Sequence, residues 1–354
     1  MTDIRNVEVI APNFKKRLSG VTSTIIQLIP VQNRLGQKVA TLGPGLPAFL
    51  PHLQFSDLFK LWRRPEGRQN RVWHARRNNE MLAGLLLRDV LRMPLKIVFT
   101  SASQRRHTRW TKFLISRVDA VIATSAKTAA YLEVENTVIM HGVDTERFSP
   151  PQDKAAAKRA VGLDPTKNVV GCFGRVRHQK GTDLFVDAMI ELLASRPDWI
   201  AIIAGRATAS HVAYENGLKE RVVKAGLSDR ILFVGEHTNI NDWYHALDLY
   251  VAPQRWEGFG LTPLEAMGSG VPVVAADVGV FSELIQVGHH ETGIVTPAGS
   301  SESMGVAVAA FMDDDARRDA AGASARARVT ALFTLENEAA GIGLIYKGLE
   351  SVSR

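Results

Sequence analysis

Residues 250–270, YVAPQRWEGFGLTPLEAMGSG, decide the fold class and carry two glutamates, Glu257 and Glu265, eight positions apart. The apolar run LDLYVAP (247–253) predicts a buried strand, and a loop with two glycines follows it. TPLEAMGSG then predicts a helix, with Thr262 as the cap and Pro263 at the first helical position. Since ligands of open parallel sheets bind beyond the carboxyl ends of the strands, the two glutamates are predicted to lie at a ligand-binding edge.

Short apolar runs alternate with helical stretches along the whole chain. Near-continuous apolar runs are typical of parallel strands that are covered by helices on both faces. The chain is therefore predicted to be an α/β protein with two Rossmann-like, doubly wound domains that face a central cleft. The predicted strands lie at residues 7–12, 38–43, 71–75, 95–101, 120–125, 137–142, 168–175, 199–205, 231–236, 247–253, 272–278 and 292–298.

Prolines interrupt this rhythm near the middle of the chain, in SPPQD (149–153) and LDPTKN (163–168). We therefore predict an N-terminal domain over residues 1–150 and a C-terminal domain over residues 151–335. A final helix over 336–354 is expected to pack back toward the N-terminal domain. The length of 354 residues is enough for two independent cores.

Charge is distributed unevenly between the halves. Residues 1–150 contain 23 Lys and Arg against 11 Asp and Glu, whereas residues 151–354 contain 20 against 25. The basic half predicts an anionic partner, although a solvated basic surface without a partner is the alternative. The single cysteine, Cys172, excludes an intrachain disulfide. Neither a signal peptide nor an apolar run long enough to cross a membrane is apparent, which predicts a cytoplasmic protein that is either soluble or attached to a membrane from the side.

The residue types around the two glutamates suit a nucleotide-sugar. Gly258 and Gly260 allow the backbone to approach a ligand, and the free amides that follow suit a phosphate. Glu257 is then predicted to hold the transferred sugar and Glu265 the ribose, while a helix start with two incidental acids is the alternative. Arg175 and Lys180, in GRVRHQKG (174–181), are predicted to converge on the diphosphate and to stabilise the leaving group.

These motifs together resemble the retaining GT-B glycosyltransferases of family 4, whose second domain carries two glutamates separated by seven residues. GRVRHQKG, FVGE, the 250–270 stretch and TGIV stand in the order and spacing of that family. The resemblance implies sugar transfer from a nucleoside diphosphate sugar, with retention of configuration and without a metal or other cofactor. It assigns further donor contacts to a small-residue loop and to two segments of the second half: Gly20, Val234, Gly235, Glu236, Gly258, Phe259, Gly260 and Leu261.

Two departures from the family pattern concern the catalytic base. The histidine that many members carry two residues after the end of the fourth strand is absent, because Thr100 is followed by Ser101 and Ala102. His107 is the nearest substitute, and His141 replaces the more common asparagine before GVD. A front-face mechanism, in which the leaving phosphate accepts the proton, requires no protein base.

Arginines and lysines at three strand ends of the basic half predict a strongly anionic acceptor. WHARRNNE (73–80) and FTSASQRRH (99–107) resemble lipopolysaccharide core mannosyltransferases of alphaproteobacteria. That resemblance implies transfer of mannose from GDP-mannose to the acidic sugar Kdo of the inner core, on the cytoplasmic face of the inner membrane. The predicted acceptor residues are Lys15, Lys16, Arg17, Arg76, Arg77, Arg105, Arg106 and Arg109.

Three alternatives stay open at this point. A UDP-sugar donor or another acidic acceptor is compatible with the same motifs. A non-catalytic GT-B partner protein is a second alternative, which the presence of Arg175, Lys180, Glu257 and Glu265 disfavours. A nucleic-acid-binding protein is the third alternative. This chain lacks the zinc spacing, the helix-turn-helix pattern and the aromatic-interleaved sheet that are typical of that class. Trp62 is either a membrane-interface anchor or a packed surface aromatic.

Overall fold

The computed structural model describes residues 3–16 and 20–351, which form two compact units. The first unit contains the described residues up to Gly142 and those from Thr334 onward, and the second runs from Val143 to Phe333. The strands of each unit form one sheet, and every strand pair among the described residues is parallel.

The first unit is built on a seven-stranded sheet with the order β3-β2-β1-β4-β5-β6-β7. Its strands are β1 Val9–Pro12, β2 Val39–Leu42, β3 His52–Leu53, β4 Arg71–Ala75, β5 Leu95–Ser101, β6 Ala120–Ala123 and β7 Thr137–Val138. Its helices are α1 Gly20–Arg34, α2 Asn78–Leu85, α3 Arg109–Ile115, α4 Ala126–Ala129 and, at the C-terminal end of the chain, α13 Leu335–Ser351. A π-helical turn over Leu86–Val90 continues α2, and 3₁₀ turns lie at Ile4–Asn6 and Phe55–Lys60.

The second unit is built on a six-stranded sheet with the order β10-β9-β8-β11-β12-β13. Its strands are β8 Asn168–Phe173, β9 Trp199–Ala204, β10 Ile231–Gly235, β11 Leu249–Ala252, β12 Val273–Ala276 and β13 Gly293–Thr296. Its helices are α5 Lys154–Ala160, α6 Thr182–Leu193, α7 Val212–Lys224, α8 Ile240–His245, α9 Thr262–Gly268, α10 Phe281–Leu284, α11 Ser301–Met312 and α12 Asp315–Leu332. Short 3₁₀ turns lie at His178–Lys180 and Ala209–His211.

The twelve predicted strands are all present, and the prediction of two doubly wound α/β sheets is confirmed. Their side chains are buried on both faces, as in WIAIIA of β9, because helices cover both sides of a parallel sheet. The additional strand β3 was not predicted, since it has two residues and therefore no periodic pattern. Cys172 lies buried in the core of the second unit, where burial raises the pKa of its thiol to about 12.

The chain passes from the first unit to the second at Gly142 and Val143, before the predicted boundary at residue 150. The Val143 amide donates to the Phe333 carbonyl at 2.9 Å, and the Arg326 guanidinium donates to the carbonyls of Thr145 and Phe148. These bonds hold residues 143–148 in the second unit. The boundary therefore follows long-range hydrogen bonds and not the prolines that mark the local sequence.

Helix α13 packs against α1 within the first unit. Leu335, Ala339 and Ile342 join Ile25 and Leu28 in one buried cluster on that sheet. The Gln37 amide also donates to the Ala339 carbonyl at 2.6 Å. The end of the chain thus completes the core of the unit in which the chain begins.

Candidate functional site

The loops after β8 and β11 lie side by side at the carboxyl edge of the second sheet. β8 pairs with β11 through Val170 and Leu249, and the strand order reverses direction between these two strands. Ligands of doubly wound sheets bind at such a reversal. Gly181 has φ +68°, and a Cβ there would lie 1.9 Å from the Pro253 carbonyl oxygen. The two loops can approach this closely only because residue 181 has no side chain.

Lys180 and Glu257, predicted from separate motifs, form an ion pair between these loops. Their side chains are 21% and 17% exposed, so both charges are largely shielded from solvent. The other carboxylate oxygen of Glu257 accepts a bond from the Gly258 amide at 3.1 Å. The structure therefore brings together the residues predicted to bind the diphosphate and the transferred sugar. Arg175, on the same loop as Lys180, is exposed and makes no ion pair within the described ranges.

The glycine turn between the two glutamates needs its glycines. Gly260 has φ +88°, and a Cβ there would lie 2.5 Å from the Phe281 ring. The Phe259 side chain is 5% exposed, so this residue has mainly its backbone available to a ligand. Helix α9 begins at Thr262, and Leu261 is its cap without a side-chain hydrogen bond. The predicted cap at Thr262 is wrong by one residue, because Thr262 already has helical backbone geometry and Pro263 occupies the second position.

Glu265 lies on α9 and is held by an aromatic hydroxyl. Tyr244 donates to its carboxylate at 2.8 Å. Burial raises the pKa of Glu265, while the hydrogen bond from Tyr244 lowers it in part. A carboxylate fixed in this way keeps acceptor positions for a pair of sugar hydroxyls.

The FVGE segment ends β10 at the same edge of the sheet. Gly235 has φ +82°, and its carbonyl accepts from the Gly205 amide at 2.6 Å, which fixes the turn beside β9. Val234 is half-buried, and its carbonyl lies 2.8 Å from a ring nitrogen of His237. Glu236 is exposed and lies 3.7 Å from Arg206 in a loose surface pair, which contributes little energy. Parallel strands bring this segment to the edge that carries Lys180 and Glu257.

An ion pair between Arg255 and Asp183 fastens the two donor loops, and sequence reasoning did not find it. The Arg255 guanidinium donates to both oxygens of Asp183 at 2.7 Å and to the His178 carbonyl at 2.8 Å, and the Arg255 amide donates to the Gln179 carbonyl. Tyr214 adds a hydroxyl bond to Asp183 at 2.8 Å. This network holds the turn that carries Lys180 against the loop that carries Glu257. The arginine stands two residues before Glu257, but only the fold reveals its partner.

The ionisation of Asp183 keeps this pair intact at neutral pH. Burial disfavours its charged form, but the bonds from Arg255 and Tyr214 outweigh burial and lower the pKa of Asp183 to about 2. A depressed carboxylate pKa contributes stability above the ordinary value near 4, and this contribution is lost as pH falls toward 2. The connection between the two loops therefore persists throughout the neutral range.

In the first unit, the predicted residues after β1 and β4 differ in their surroundings. Lys15 and Lys16 are exposed, while Arg17 lies outside the described residues. A Cβ at Gly20 would meet no atom within 4 Å, so packing inside this unit does not require a glycine there. Arg77 donates to Glu80 at 2.6 Å and to Asn13 at 2.9 Å, and the Arg76 amide donates to Glu80 at 2.8 Å. Glu80 therefore neutralises part of the charge of this predicted acceptor cluster.

The third predicted acceptor cluster follows β5 and is exposed. Arg105, Arg106 and Arg109 are open to solvent, and Arg109 begins α3 behind its cap, Thr108. Beside them a cavity of about 410 Å³ is lined by His107, Arg109 and Lys112, among others. Burial and the charge of Arg105 lower the pKa of His107, and its Nε2 is buried without a partner among the described residues. A neutral imidazole of this kind can accept a proton.

Thr100 and His141, which stand at the two departures from the family pattern, are linked to α13 directly or through His74. The His141 ring bonds a Glu338 oxygen at 2.7 Å, and the Gly142 amide donates to the other Glu338 oxygen at 2.9 Å. His141 therefore helps to attach α13 to the chain before it enters the second unit. The Thr100 hydroxyl bonds the buried His74 at 2.7 Å, and the other nitrogen of His74 bonds Tyr346 of α13 at 2.6 Å.

The residues that the structure describes contain neither a metal-ligand cluster nor a membrane-spanning helix. No group of three or more His, Cys, Asp or Glu side chains is arranged to hold a metal ion in residues 3–16 and 20–351. In the same residues, no helix combines the length and the apolar character that a membrane crossing needs. The metal-independent reaction stays a prediction.

Comparison with known proteins identifies the family. The family model described as Glycosyl transferases group 1 matches residues 153–328. Over 349 residues the chain is 70% identical to the lipopolysaccharide core biosynthesis mannosyltransferase LpsB of Rhizobium meliloti (strain 1021), covering 99% of each chain. It is 59% identical to the lipopolysaccharide core biosynthesis mannosyltransferase LpcC of Rhizobium leguminosarum bv. viciae, covering 99% of this chain and 98% of that one.

The fold comparison agrees. The crystal structure of Anabaena HepE in complex with UDP matches with a TM-score of 0.82 at 21% identity, covering 98% of this chain and 100% of that one. The chain therefore belongs to the group 1 glycosyltransferases and has the GT-B fold that its motifs implied. Within that family it is similar over its whole length to enzymes of lipopolysaccharide core biosynthesis.

Proposed function

We propose that this enzyme transfers mannose from GDP-mannose to the Kdo sugar of the lipopolysaccharide inner core, with retention of configuration. The observation that carries the proposal is the 70% identity, along 99% of both chains, to an enzyme named for mannosyl transfer in core biosynthesis. The donor base and the acceptor sugar are the finer parts of the proposal. They rest on the resemblance of the donor motifs and on the excess of basic residues in the first half of the chain.

The proposed mechanism assigns charge neutralisation to two cations. Lys180 and Arg175 contact the diphosphate and stabilise the negative charge that develops as the bond to the sugar breaks. Both residues follow β8, and Lys180 lies in a shielded position where its charge acts strongly. The diphosphate needs no metal ion in this scheme, because two side chains and the amides after Gly258 face its charge.

Orientation of the donor is assigned to the two glutamates. Glu257 and the backbone of residues 258–261 hold the transferred sugar, while Glu265, positioned by Tyr244, accepts bonds from the ribose. The acceptor hydroxyl attacks from the side of the leaving group, and the departing phosphate takes its proton. His107 is the protein base in the alternative scheme.

The acceptor is assigned to the basic side chains of the first unit. Arg105, Arg106 and Arg109 are exposed, as Lys15 and Lys16 are, and their guanidinium groups suit carboxylate and phosphate groups. An acceptor on lipid A would place the enzyme at the cytoplasmic face of the inner membrane as a peripheral protein.

A donor and acceptor panel tests this function. Purified enzyme is incubated with GDP-mannose, UDP-glucose or UDP-galactose, each with Kdo-lipid A or a neutral oligosaccharide, and nucleoside diphosphate release is measured. We expect release only with GDP-mannose and Kdo-lipid A, and an α-linked product by NMR. Release with a UDP-sugar but not with GDP-mannose would contradict the proposed donor. Transfer to the neutral oligosaccharide would contradict the proposed acceptor.

A matched pair of lysine variants links this activity to the site. Lys180→Ala removes the shielded cation between the donor loops, whereas Lys167→Ala removes a lysine that pairs with Asp198 at 3.8 Å. Lys167 directly precedes β8 and therefore lies at the opposite edge of the same sheet. We expect Lys180→Ala to lose most of its activity and Lys167→Ala to keep it.

A further inference from the structure

An exposed apolar surface in the first unit is not explained by the donor or acceptor assignments. Leu82, Leu86 and Val90 are spaced four residues apart on α2 and the π-helical turn that continues it, so they lie on one face. Their exposed fractions are 37%, 49% and 67%, and they increase toward the end of the turn. Large apolar side chains in such a row are normally covered by a partner.

Aromatic side chains extend this surface in both directions. Phe113 of α3 lines the same open groove as the three aliphatic residues, which has a volume of about 1380 Å³. Trp110 stacks on Phe113 with ring centroids 5.7 Å apart, and both are about half exposed. At the other end, the Trp62 indole donates to the Leu91 carbonyl at 2.8 Å, next to Val90. We call Trp62, Leu82, Leu86, Val90, Trp110 and Phe113 the apolar band.

Charged side chains of both signs line the groove of the apolar band. Four basic residues, Arg64, Arg88, Lys96 and Arg117, stand against three acidic ones, Asp89, Asp119 and Glu350. Asp89 and the neighbouring Asp119 pair with Arg88, and Asp119 also pairs with Lys96. Arg117 is exposed and lies over the Phe113 ring at 5.5 Å. Glu350 pairs with Arg68, whereas Arg64 and Arg117 form no ion pair among the described residues, so the unpaired charge at the groove is basic.

We propose that the apolar band docks on the surface of a bilayer that contains anionic lipids. Tryptophan and phenylalanine rings lie at the depth of the lipid headgroups, aliphatic side chains enter the acyl boundary, and arginines pair with the phosphates. A second copy of the chain is a poorer occupant, because a symmetric contact would bring the two sets of basic residues together. This inference rests on the proposed function for the lipid-linked acceptor, and it identifies the surface that meets the membrane.

A matched pair of variants tests the band. Val90→Asp places a charge in the band, while Val306→Asp makes the same change on α11 of the second unit, where the valine is 69% exposed. Full-length protein is sedimented with vesicles of phosphatidylcholine alone or mixed with phosphatidylglycerol. We expect wild type to prefer the anionic vesicles, Val90→Asp to bind them about tenfold less, and Val306→Asp to bind as wild type does. Thermal denaturation checks that both variants fold.

Equal vesicle binding by the two variants would overturn the proposal. Size-exclusion chromatography adds a second arm: if Val90→Asp dissociates a dimer and leaves vesicle binding unchanged, the band joins copies of this chain and the membrane assignment is wrong. Activity on acceptor dispersed in detergent separates this inference from the proposed function. Val90→Asp should match wild type there, because no bilayer is involved. Absence of mannosyl transfer in wild type would refute the proposed function. The difference in vesicle binding between Val90→Asp and Val306→Asp would still test the membrane-docking role of the apolar band.

Discussion

Replacing Glu257 by glutamine should strengthen the binding of free GDP while it lowers turnover. Glu257 forms an ion pair with Lys180, and both side chains are mostly shielded from solvent. A diphosphate that binds Lys180 must compete with this carboxylate. A hydrogen bond between charged groups contributes about 1.5–3 kcal/mol, and neutral glutamine retains part of it. Removing the competing charge should therefore favour GDP by about 1 kcal/mol, or roughly fivefold in Kd.

Turnover should change in the opposite direction. Glu257 is proposed to hold the transferred sugar, which is absent from GDP, so the substitution removes a contact that matters only for the donor and the transition state. Loss of one such contact, at about 1.5–3 kcal/mol, corresponds to a decrease of about ten- to a hundredfold in kcat. Calorimetry with GDP and steady-state release of GDP from GDP-mannose measure the two effects independently.

A double-mutant cycle completes the test. Lys180→Ala leaves Glu257 without its partner and facing the diphosphate, and we expect it to weaken GDP binding by about 2–5 kcal/mol. Adding Glu257→Gln to Lys180→Ala should recover part of that loss. If Glu257→Gln weakens GDP binding as much as Lys180→Ala does, the competition between carboxylate and diphosphate does not exist and the division of roles is wrong.

Four further outcomes are expected. Glu265→Gln should chiefly weaken GDP binding by calorimetry, because the ribose is common to donor and product; an unchanged Kd with reduced kcat would contradict its assignment. Arg255→Lys should raise the donor KM several-fold more than the acceptor KM, because lysine cannot bridge both oxygens of its partner. Arg196→Lys, which alters a similar two-oxygen pair with Asp313 at the opposite edge of the sheet, should leave both constants unchanged. Activity should survive excess EDTA, and a complete loss that magnesium or manganese restores would refute metal independence. Raising ionic strength, or reversing charge at Arg105 and Arg106, should raise the KM for Kdo-lipid A more than the KM for GDP-mannose. The reason is that these side chains are exposed and salt screens their charges. Equal sensitivity of both constants would contradict an anionic acceptor site there.

Local sequence was sufficient for the strands and for the donor motifs. Runs such as WIAIIA contain enough apolar residues to identify a buried parallel strand without knowledge of its neighbours. Gly181 and Gly260 adopt positive φ, a geometry that glycine reaches without steric cost. Because such turns require glycine, the two donor loops that contain them can be recognised in the sequence. The twelve strands and the position of the glycine turn were therefore predictable.

The tertiary structure alone decided which of these residues interact. Lys180 and Glu257 are 77 positions apart, and Arg255 and Asp183 are 72 apart, yet each pair is in direct contact. These contacts depend on the order of strands in the sheet, which places β8 beside β11 although β9 and β10 lie between them in the chain. The unit boundary at Val143 depends in the same way on a bond to Phe333. Propensity and periodicity are properties of neighbouring residues, whereas ion pairs between loops arise only after the sheet has brought distant segments to one edge.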